Sequence, residues 1–343
     1  MPSKHEKISD LGEKLLIKRL LSKSQNSRVK SLFLDELSSK SFSDDAALLD
    51  FGENYLVACS DMLFESSHFP REMTHYQMGQ KIVTVNISDL AAMGAEALGI
   101  IISMGLPRDM LIDEFDDLVE GILKNCKRYG MALIGGDTNE SRELTLSGTC
   151  LGIVKKENAL MKSGARPGDI IAVTGSLGLA AAGFELLLNP EYNADEIDKE
   201  IKNLPLKHAL KPEARLKQGI LLANSGSVTS ATDITDGLLS ELGEMIDANE
   251  NNIGMIINQE AIPIPSEVFS VANITGKDPL EMALTYGEDF ELLLTINPSL
   301  FDDLKSQTTL YLIGSVDSSG TIKMIDKSGK TNIITSMGYE HLK

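Results

Sequence analysis

Apolar residues recur at helical spacing in some stretches of the chain and at alternate positions in others, which predicts a mixture of helices and strands. In the first half, the spacing predicts helices over residues 9–22, 76–93 and 109–129, and Gly130 ends the last of them. The predicted strands are 46–49, 55–59, 99–104, 131–134 and 144–154, of which the first two form a hairpin. The polar, serine-rich stretch 23–43 predicts a loop.

The pattern breaks near residues 155–168, and a second region of helices and strands follows. Its predicted helices are 177–188, 212–223, 237–248, 278–285 and 298–305, and residues 190–210 are predicted to be irregular. Its predicted strands are 169–173, 228–232, 254–258, 289–296, 309–316 and 321–325. The pattern predicts an α/β (α+β) protein with two domains, 1–155 and 156–343, each a mixed sheet flanked by helices.

Composition narrows the possible functions. With 343 residues, of which 42% are hydrophobic, each half is large enough to bury a core. The chain has no run of 18 apolar residues and begins with charged residues, so neither a membrane span nor a secretory signal is expected. A net charge of −18 disfavours nucleic acid and anionic lipid as partners. Three widely spaced cysteines without Cys-x-x-Cys argue against disulfides or zinc and fit a reducing cytoplasm.

Six aspartates lie among small residues at the ends of predicted strands, helices or turns, with few basic residues near them in sequence. They are Asp45, Asp61, Asp89, Asp137, Asp233 and Asp236. Carboxylates that converge without basic partners repel one another unless a cation joins them. Mg²⁺ takes oxygen ligands and usually binds together with phosphates. These residues therefore predict phosphoryl transfer assisted by Mg²⁺.

The hairpin supplies a geometric argument for the metal. Its turn is centred near residues 52–53, so antiparallel pairing would place Asp45 opposite Asp61, with their Cβ atoms about 5 Å apart. Such a pair is destabilising unless something cationic lies between the two carboxylates. The alternative is a pair of solvated strand ends at the edge of a sheet.

Asp89 lies on the predicted helix 76–93, on the apolar stripe that includes Ile82 and Met93. A buried carboxylate without a partner is costly, so a metal or another partner is expected beside it. An Asp that caps the next segment is equally compatible with the periodicity.

Two further motifs follow predicted strands. Gly136, in Gly-Gly-Asp-Thr, would let a ligand approach the backbone, although Gly-Gly before Asp137 equally suits a tight turn. The run Thr-Asp-Ile-Thr-Asp-Gly at 232–237 leads into a helix, whose N-terminus favours anions. Thr235 or Asp236 would also be an ordinary N-cap, but two carboxylates three residues apart exceed what capping needs.

Familiar nucleotide-binding motifs are absent from the sequence. It has no Gly-x-x-x-x-Gly-Lys-Ser/Thr loop and no protein-kinase His-Arg-Asp or Asp-Phe-Gly set, and Gly175 begins only a weak Gly-x-x-Gly turn. Glu288 precedes an apolar strand, where a solvated turn acid is the commoner explanation. His68 is a lone loop histidine, a type that is usually just solvated.

Taken together, the motifs are far more specific than any one of them. The chain carries, in this order, Ser-Asp-Asp-Ala-Ala, Val-Asn-Ile-Ser-Asp-Leu-Ala-Ala-Met-Gly-Ala, Ile-Gly-Gly-Asp-Thr, Lys-Ser-Gly-Ala-Arg-Pro-Gly-Asp, Asp-Ile-Thr-Asp-Gly-Leu and Tyr-Gly-Glu-Asp-Phe-Glu-Leu. From about residue 41 to 341 it closely resembles the thiamine-monophosphate kinase family. That family belongs to the superfamily of aminoimidazole ribonucleotide synthetase, selenophosphate synthetase and the hydrogenase-maturation dehydratase.

The resemblance implies ATP-dependent phosphorylation of thiamine monophosphate to thiamine diphosphate, with several Mg²⁺ ions. It also implies a homodimer whose N-terminal sheets pair into a barrel. The implied metal ligands are Asp45, Ser60, Asp61, Asp89, Asp137, Asp233 and Asp236. The implied nucleotide contacts are Gly136, Asp137, Lys162 and Thr235, and the implied substrate contacts are His68, Glu288 and Tyr339. No general base is expected, because a phosphate monoester with a second pKa of about 6 is largely ionised near neutrality.

The sequence departs from the family pattern at three places. Cys59 stands where the family often has a hydroxyl residue, which leaves a backbone carbonyl as the hard ligand there. Lys162 stands where an arginine commonly contacts the nucleotide, so a bidentate grip on phosphate becomes a point charge. The first aspartate motif reads Phe-Ser-Asp-Asp, without the usual glycines, and Asp44 is expected to orient its neighbour.

Two rival functions remain open at the level of sequence. One is another ATP-using enzyme of the superfamily. Selenophosphate synthetase is disfavoured because no cysteine precedes Asp45, and the dehydratase because no cysteine follows Cys150. The other is an acidic metal- or nucleotide-binding protein without turnover.

Overall fold

A computed structural model gives the fold, and it describes residues 13–26, 40–189, 192, 197–335 and 338. The α-helices of these residues are α1 (Glu13–Asn26), α2 (Glu65–His68), α3 (His75–Ala92), α4 (Ile112–Tyr129), α5 (Leu179–Leu188), α6 (Lys199–Leu210), α7 (Leu216–Asn224), α8 (Leu238–Ala248), α9 (Ser266–Thr275), α10 (Pro279–Thr285) and α11 (Phe301–Gln307). The strands are β1 (Ala47–Phe51), β2 (Asn54–Phe64), β3 (Glu96–Leu106), β4 (Ala132–Glu140), β5 (Thr145–Lys155), β6 (Ile170–Val173), β7 (Val228–Asp233), β8 (Gly254–Asn258), β9 (Leu292–Ile296), β10 (Tyr311–Asp317), β11 (Ile322–Ile325) and β12 (Thr331–Ile334).

The first five strands form one mixed sheet in the order β1-β2-β5-β3-β4. Neighbours in it are antiparallel except β3 and β4, which run parallel because α4 crosses over between them. β4 is an edge strand, and every one of its residues is exposed. This edge becomes important for the placement of Asp137.

The remaining strands form a second mixed sheet in the order β12-β11-β8-β10-β6-β9-β7. Only β8 and β11 pair in parallel there, among the residues that the structure describes. The predicted architecture of two mixed sheets flanked by helices is therefore confirmed. Within the described ranges, neither sheet closes into a barrel.

Helix α3 connects the two halves because it packs on both of them. It begins with a capping box formed by Thr74 and Gln77. One side lies on the first sheet, while α4 crosses it closely at Gly121. On another side α7 approaches at Gly219, where an added Cβ would lie 2.1 Å from the Ala91 carbonyl oxygen. Since α3 is covered nearly all round, a charged residue on it is buried unless it faces the cleft between the two halves.

Several helices and strands differ from their predicted bounds. Within the stretch predicted to be irregular, residues 199–210 form the helix α6, which packs on α5 where Gly183 approaches the Pro205 carbonyl. α9 and β12 were not predicted. The predicted strand 131–134 continues to Glu140, so the glycine pair before Asp137 lies in a strand and not in a turn.

The first predicted helix, 9–22, corresponds to α1, which extends to Asn26. The predicted loop 23–43 lies mostly outside the described residues. No helix in the described part of the chain is long and apolar enough to cross a membrane.

Candidate active site

Four of the six aspartates come together where the two halves meet. Asp45 precedes β1, Asp61 lies on β2, Asp89 lies near the end of α3, and Asp233 ends β7. Besides burial, the charges of Asp61, Asp233 and Asp45 all raise the pKa of Asp89 well above its usual range. Distant segments of both halves therefore deliver carboxylates to one place, which we call the acidic cluster.

The acidic cluster contains oxygens without partners. The Oδ2 atoms of Asp45, Asp61 and Asp233 are buried and accept no hydrogen bond from the described residues. Burial, together with the charge of Asp45, raises the pKa of Asp61 to about 6 and that of Asp233 to about 8. Orphaned, desolvated carboxylates are costly, and a bound cation is the usual way to offset that cost.

The donor set of the cluster fits Mg²⁺, which prefers hard anionic oxygens. In the described ranges, no three or more His, Cys, Asp or Glu side chains are arranged so that they could hold one ion together. Mg²⁺ commonly binds through one or two carboxylates and completes its octahedron with phosphate oxygens and water. Pairs of these aspartates therefore suffice when a nucleotide supplies the other ligands.

Asp45 has a basic partner that the local sequence does not reveal. Lys162 Nζ lies 2.8 Å from Asp45 Oδ1 and 2.8 Å from Glu244 Oε2, and the Thr232 hydroxyl donates to Asp45 Oδ1 at 3.0 Å. Although burial lowers it, the charges of Asp45 and Glu244 raise the pKa of Lys162 well above its ordinary value. The expectation that the aspartates lack basic partners is therefore wrong for Asp45.

Asp44 orients the loop that carries Asp45. Its carboxylate accepts the backbone N–H of Asp45 at 3.0 Å and the backbone N–H of Lys162 at 3.0 Å. Burial, together with the Asp45 charge, raises the pKa of Asp44 to about 7. Asp44 thus joins the backbone beside a predicted metal ligand to that of a predicted nucleotide contact.

The predicted pairing of Asp45 with Asp61 is wrong by one residue. Phe51 pairs with Asn54 and Ala47 pairs with Ala58, so the register would set residue 60 opposite residue 45, which itself lies before β1. The two carboxylates still interact, but from a loop and a strand. A shift of one residue in a strand exchanges the two faces of the sheet, and this decides which side chains reach the cluster.

Ser60 and Asp61 lie on opposite faces of β2, because side chains alternate along a strand. The thiol of Cys59, on the same face as Asp61, donates to the Asn86 carbonyl of α3 at 3.3 Å. The Ser60 hydroxyl donates to the Gly148 carbonyl at 2.8 Å on the other face. The structure therefore does not bring this hydroxyl to the carboxylates.

Asp236 and Thr235 lie in the loop between β7 and α8. The N-cap of α8 is Gly237, with no side-chain cap, so the alternative of ordinary capping by Thr235 or Asp236 is wrong. Instead, the Asp236 N–H donates to Glu241 Oε1 at 3.1 Å. Burial raises the pKa of Glu241 well above its usual range, and the charges of Glu244 and Asp236 raise it further.

Asp137 is not brought to the acidic cluster of its own chain. Asp61 pairs with Gly148, which pairs with Ile102, which pairs with Gly136, so three strand spacings separate the two aspartates. At 4.7–4.9 Å per spacing, this distance is about 14 Å. The Asp137 carboxylate accepts the Asn139 amide at 2.8 Å on the exposed edge.

Gly136 is explained by packing between strands. A Cβ at this position would lie 2.1 Å from the Ile102 carbonyl oxygen, so β3 and β4 approach each other only because residue 136 is a glycine. This close approach accounts for the glycine without a ligand. At Gly135 an added Cβ would meet nothing, and its backbone is open to solvent.

The predicted substrate contacts His68 and Glu288 are brought together across the two halves. Lys81 Nζ donates to both carboxylate oxygens of Glu288, at 2.8 and 2.7 Å, and to the His68 carbonyl at 2.8 Å. Glu288 is therefore not a merely solvated turn acid. Tyr339 lies outside the described residues.

Lys81 is a site residue that the sequence did not single out. Its side chain is 0% exposed, in the middle of α3. The one feature of the sequence that could have indicated it is a lysine within a helix whose other residues are mostly apolar or small. Only the fold shows that this charge has a carboxylate partner 207 positions away.

Comparisons with known proteins agree with this architecture. Residues 43–154 match the family described as AIR synthase related protein, N-terminal domain, and residues 166–327 match its C-terminal domain. A thiamine-monophosphate kinase from Pyrococcus horikoshii is 35% identical over 323 residues, which cover 94% of this chain and 98% of that protein. The chain belongs to the thiamine-monophosphate kinase family.

Solved structures of this kinase family have the same fold. The one described as "AaThiL complexed with AMPPCP and TMP" matches with a TM-score of 0.84 at 25% identity, over 99% of this chain and all of that chain. The thiamine monophosphate kinase from Aquifex aeolicus matches with a TM-score of 0.77 at 25% identity, over 93% of this chain and 98% of that chain. The resemblance inferred from the motifs is confirmed.

One departure from the thiamine-monophosphate kinase pattern now has a physical description. Cys59 is buried, and burial raises the pKa of its thiol well above the ordinary value, with the Asp89 charge raising it further. The group therefore stays a neutral thiol, which is a poor ligand for a hard cation. Its position is nevertheless within electrostatic reach of the cluster.

Proposed function

We propose that this protein transfers the γ-phosphoryl group of ATP directly to thiamine monophosphate and so forms thiamine diphosphate. The observation that carries the proposal is the acidic cluster, in which both halves supply buried carboxylates, and in Asp45, Asp61 and Asp233 one oxygen of each lacks a partner among the described residues. Its family relatives are thiamine-monophosphate kinases, and one related structure is described as holding an ATP analogue and TMP. The same cluster is suited to cations that accompany phosphates.

The main obstacle to such a reaction is repulsion between two phosphate groups. Mg²⁺ ions held by Asp45, Asp61, Asp89 and Asp233 would offset this charge and align the acceptor with the γ-phosphorus. The charge of Asp236 is close enough to the buried Glu241 to raise the pKa of that carboxyl group. We include Asp236 among the proposed metal ligands. The acceptor oxygen is already ionised near neutrality, so no side chain is assigned as a general base.

Lys162 and Thr235 are proposed as nucleotide contacts. Lys162 Nζ is already paired with the carboxylates of Asp45 and Glu244. A phosphate group would therefore replace one of these two partners of the ammonium group. The Thr235 backbone carbonyl accepts the Glu288 N–H at 2.9 Å, which places the two predicted binding elements side by side. His68, Glu288 and Tyr339 are proposed as contacts of thiamine monophosphate.

A coupled ADP assay tests the proposed reaction. With Mg²⁺ and ATP, thiamine monophosphate should yield ADP and thiamine diphosphate in equal amounts, identified by chromatography. Aminoimidazole precursors serve as the matched alternative acceptor. ADP release with them alone would favour another enzyme of the superfamily. An ATP-induced rise in melting temperature without any ADP would favour a binding protein.

We propose further that residues 1–155 form a metal- and ATP-binding and dimerisation domain and that residues 156–343 complete the nucleotide and substrate cleft. The first sheet exposes apolar side chains on the face opposite α3, including Met62 (51% exposed) and Phe64, and on its edge Ile134 (53% exposed). An apolar face next to an unpaired strand edge is typical of a surface covered by another copy. Two such sheets would pair into the expected barrel.

A homodimer would also resolve the position of Asp137, which is about 14 Å from Asp61 in its own chain by strand spacing. We propose that Asp137 of each copy serves the acidic cluster of the other, together with Gly136 beside it. Asp89→Asn and Asp137→Asn are each expected to be inactive alone. Mixed and allowed to exchange subunits, they should regain about a quarter of the wild-type activity, because half of the dimers carry one intact site.

The same mixing experiment distinguishes this arrangement from one in which Asp137 serves the acidic cluster of its own chain. If Asp137 acted within its own chain, every mixed dimer would contain two damaged sites and the mixture would stay inactive. A monomeric elution volume at assay concentration would contradict the dimer itself. Ile134→Lys, placed on the exposed edge strand, should shift the protein toward the monomer.

A further inference from the structure

The Gly-Glu-Asp-Phe-Glu segment 287–291 holds its residues in an unusual backbone. Glu288 has φ 65° and Phe290 has φ 51°, in the left-handed region that side-chain-bearing residues rarely adopt. Two backbone hydrogen bonds hold the segment there, from the Glu288 N–H to the Thr235 carbonyl and from the Phe290 N–H to the Ile234 carbonyl. Such strain persists only where neighbouring structure imposes it, and it is common at binding sites.

The Glu288 side chain is aimed at one buried cation. Lys81 Nζ contacts both of its carboxylate oxygens within 2.8 Å and is fully buried, while the Glu288 side chain remains 26% exposed. The pair is asymmetric, because Lys81 is shielded from water and Glu288 is partly exposed. The Glu288 carboxylate can therefore contact a ligand on its exposed side, while Lys81 fixes its position from the buried side.

Lys81 has two further contacts that belong to other elements. Its ammonium donates to the His68 carbonyl at the end of α2, and it lies 5.5 Å from the centre of the Phe184 ring on α5. Since the His68 carbonyl and Glu288 Oε1 are both 2.8 Å from one nitrogen, they cannot be further apart than about twice that distance. One side chain thus sets the spacing between the two predicted substrate contacts.

The ring of His68 is oriented separately. Its Nδ1 accepts the Phe64 backbone N–H at 3.1 Å, so the neutral ring carries its proton on Nε2. Lys81 holds the main chain of the same residue. Loss of Lys81 would therefore displace α2 and the Glu288 loop relative to each other, while the hydrogen bond from the Phe64 N–H to the His68 ring remains.

We propose that Lys81 is a positioning residue of the acceptor site, which fixes Glu288 and the α2 segment at one separation across the boundary between the two halves. The inference deepens the proposed function and rests on it, because Glu288 and His68 are assigned to the acceptor there. Lys81 acts through these two groups and does not itself face the cleft. The nucleotide side of the cleft, built around Lys162, does not involve it.

The test compares Lys81→Met with Lys81→Arg and with Lys323→Met. Lys323 is the matched control, because its ammonium also lies 2.8 Å from a carboxylate, that of Asp317, far along the second sheet. We expect Lys81→Met to raise KM for thiamine monophosphate about 30-fold, with KM for ATP and the affinity for a non-hydrolysable ATP analogue changed less than about threefold. Lys81→Arg keeps the charge but not the geometry and should raise the same KM about fivefold, while Lys323→Met should leave both constants unchanged.

A double-mutant cycle checks that Lys81 acts through Glu288. Glu288→Gln should raise KM for thiamine monophosphate by itself, and adding Lys81→Met to it should cost less than about threefold more, far below the effect in the wild-type background. Independent effects that simply multiply would contradict the proposal. So would a wild-type KM for thiamine monophosphate in Lys81→Met, or equal losses for both substrates together with a lowered melting temperature.

The outcomes separate this inference from the proposed function. If the wild-type protein forms no thiamine diphosphate, the proposed function fails and the role of Lys81 fails with it. If the wild type is active and the Lys81 variants bind thiamine monophosphate normally, only the positioning role is overturned. Should Lys81→Met not fold, the Lys81→Arg variant decides, because an unchanged KM in a folded Lys81→Arg protein contradicts the stated geometry.

Discussion

Two acidic regions of this molecule differ in how their charges are partnered. In the acidic cluster, Asp61 and Asp233 each keep a buried oxygen without a partner. In segment 287–291, each of three acids has its own protein partner. Glu288 is bound to Lys81, and Asp289 accepts the N–H of Gly178 before α5.

The third acid of that segment, Glu291, is 1% exposed and is paired with Arg215 and with the Thr174 hydroxyl. Its partners satisfy it within the protein, so its role is to hold β9 in place. In the acidic cluster, by contrast, Asp45, Asp61 and Asp233 each keep one buried oxygen without a partner among the described residues, which suits the cluster to an exchangeable cation. Acidic residues that look alike in sequence thus differ in how completely the fold satisfies their oxygens.

The largest expected effect is a loss of turnover when a carboxylate of the acidic cluster is removed. Asp89→Asn should lower kcat about a thousandfold, or about 4 kcal/mol of transition-state stabilisation, because metal ions contribute several kcal/mol to such reactions. Its melting temperature should stay the same or rise, since a carboxyl group that is costly to bury beside other acids has been removed. The exposed acid Asp117, changed to Asn, is the control and should alter neither quantity. A near-normal rate of Asp89→Asn at low Mg²⁺ would contradict the metal assignment.

The second prediction concerns stability, for which a change in segment 287–291 should matter more than a change in the acidic cluster. Glu291→Gln should lower the free energy of unfolding by about 3 kcal/mol, because it breaks a buried ion pair and leaves Arg215 poorly partnered. Urea unfolding measures this change. The control is Glu140→Gln, which breaks the exposed pair with Arg108 and should change stability little. Equal effects of the two variants would show that burial does not matter for these pairs.

The smallest expected effect is a pH dependence of the metal-free protein. Burial raises the pKa of Asp61 to about 6, of Asp289 to about 7 and of Asp233 to about 8. The unfolded chain releases these protons near pH 4, whereas the folded chain keeps them until pH 6–8. Raising the pH through this window therefore favours unfolding, and the melting temperature should fall by about 5 °C between pH 5 and pH 8.

Mg²⁺ with a non-hydrolysable ATP analogue should flatten this slope, because a bound cation favours the ionised carboxylates of the acidic cluster. Asp289 lies in the paired segment and should keep its contribution. Differential scanning fluorimetry across the pH range, with and without Mg²⁺ and the analogue, measures both. A melting temperature that rises with pH in the metal-free protein would contradict the assigned pKa shifts.

The sequence by itself determined the elements whose cause is local. Apolar spacing predicted α3, α4 and the hairpin, because the residues that form such an element and those that end it are neighbours in the sequence. Gly130, for example, directly follows α4 and caps it. Aspartates among small residues predicted phosphate chemistry, and the ordered motifs predicted the family. α6 escaped prediction because its stability comes from packing on α5 and not from its polar, proline-containing sequence.

Only the tertiary structure decided which side chains meet. The packing of β2 on α3 placed Asp61 on the face toward α3 and Ser60 on the other, and the hairpin register differs by one residue from the expected one. Strand order kept Asp137 three strands away from Asp61, and the packing of α3 between the halves gave Lys81 its carboxylate partner. Pairing between residues far apart in the chain depends on the summed packing of whole elements, and no local pattern around Lys81 or Glu288 carries that information.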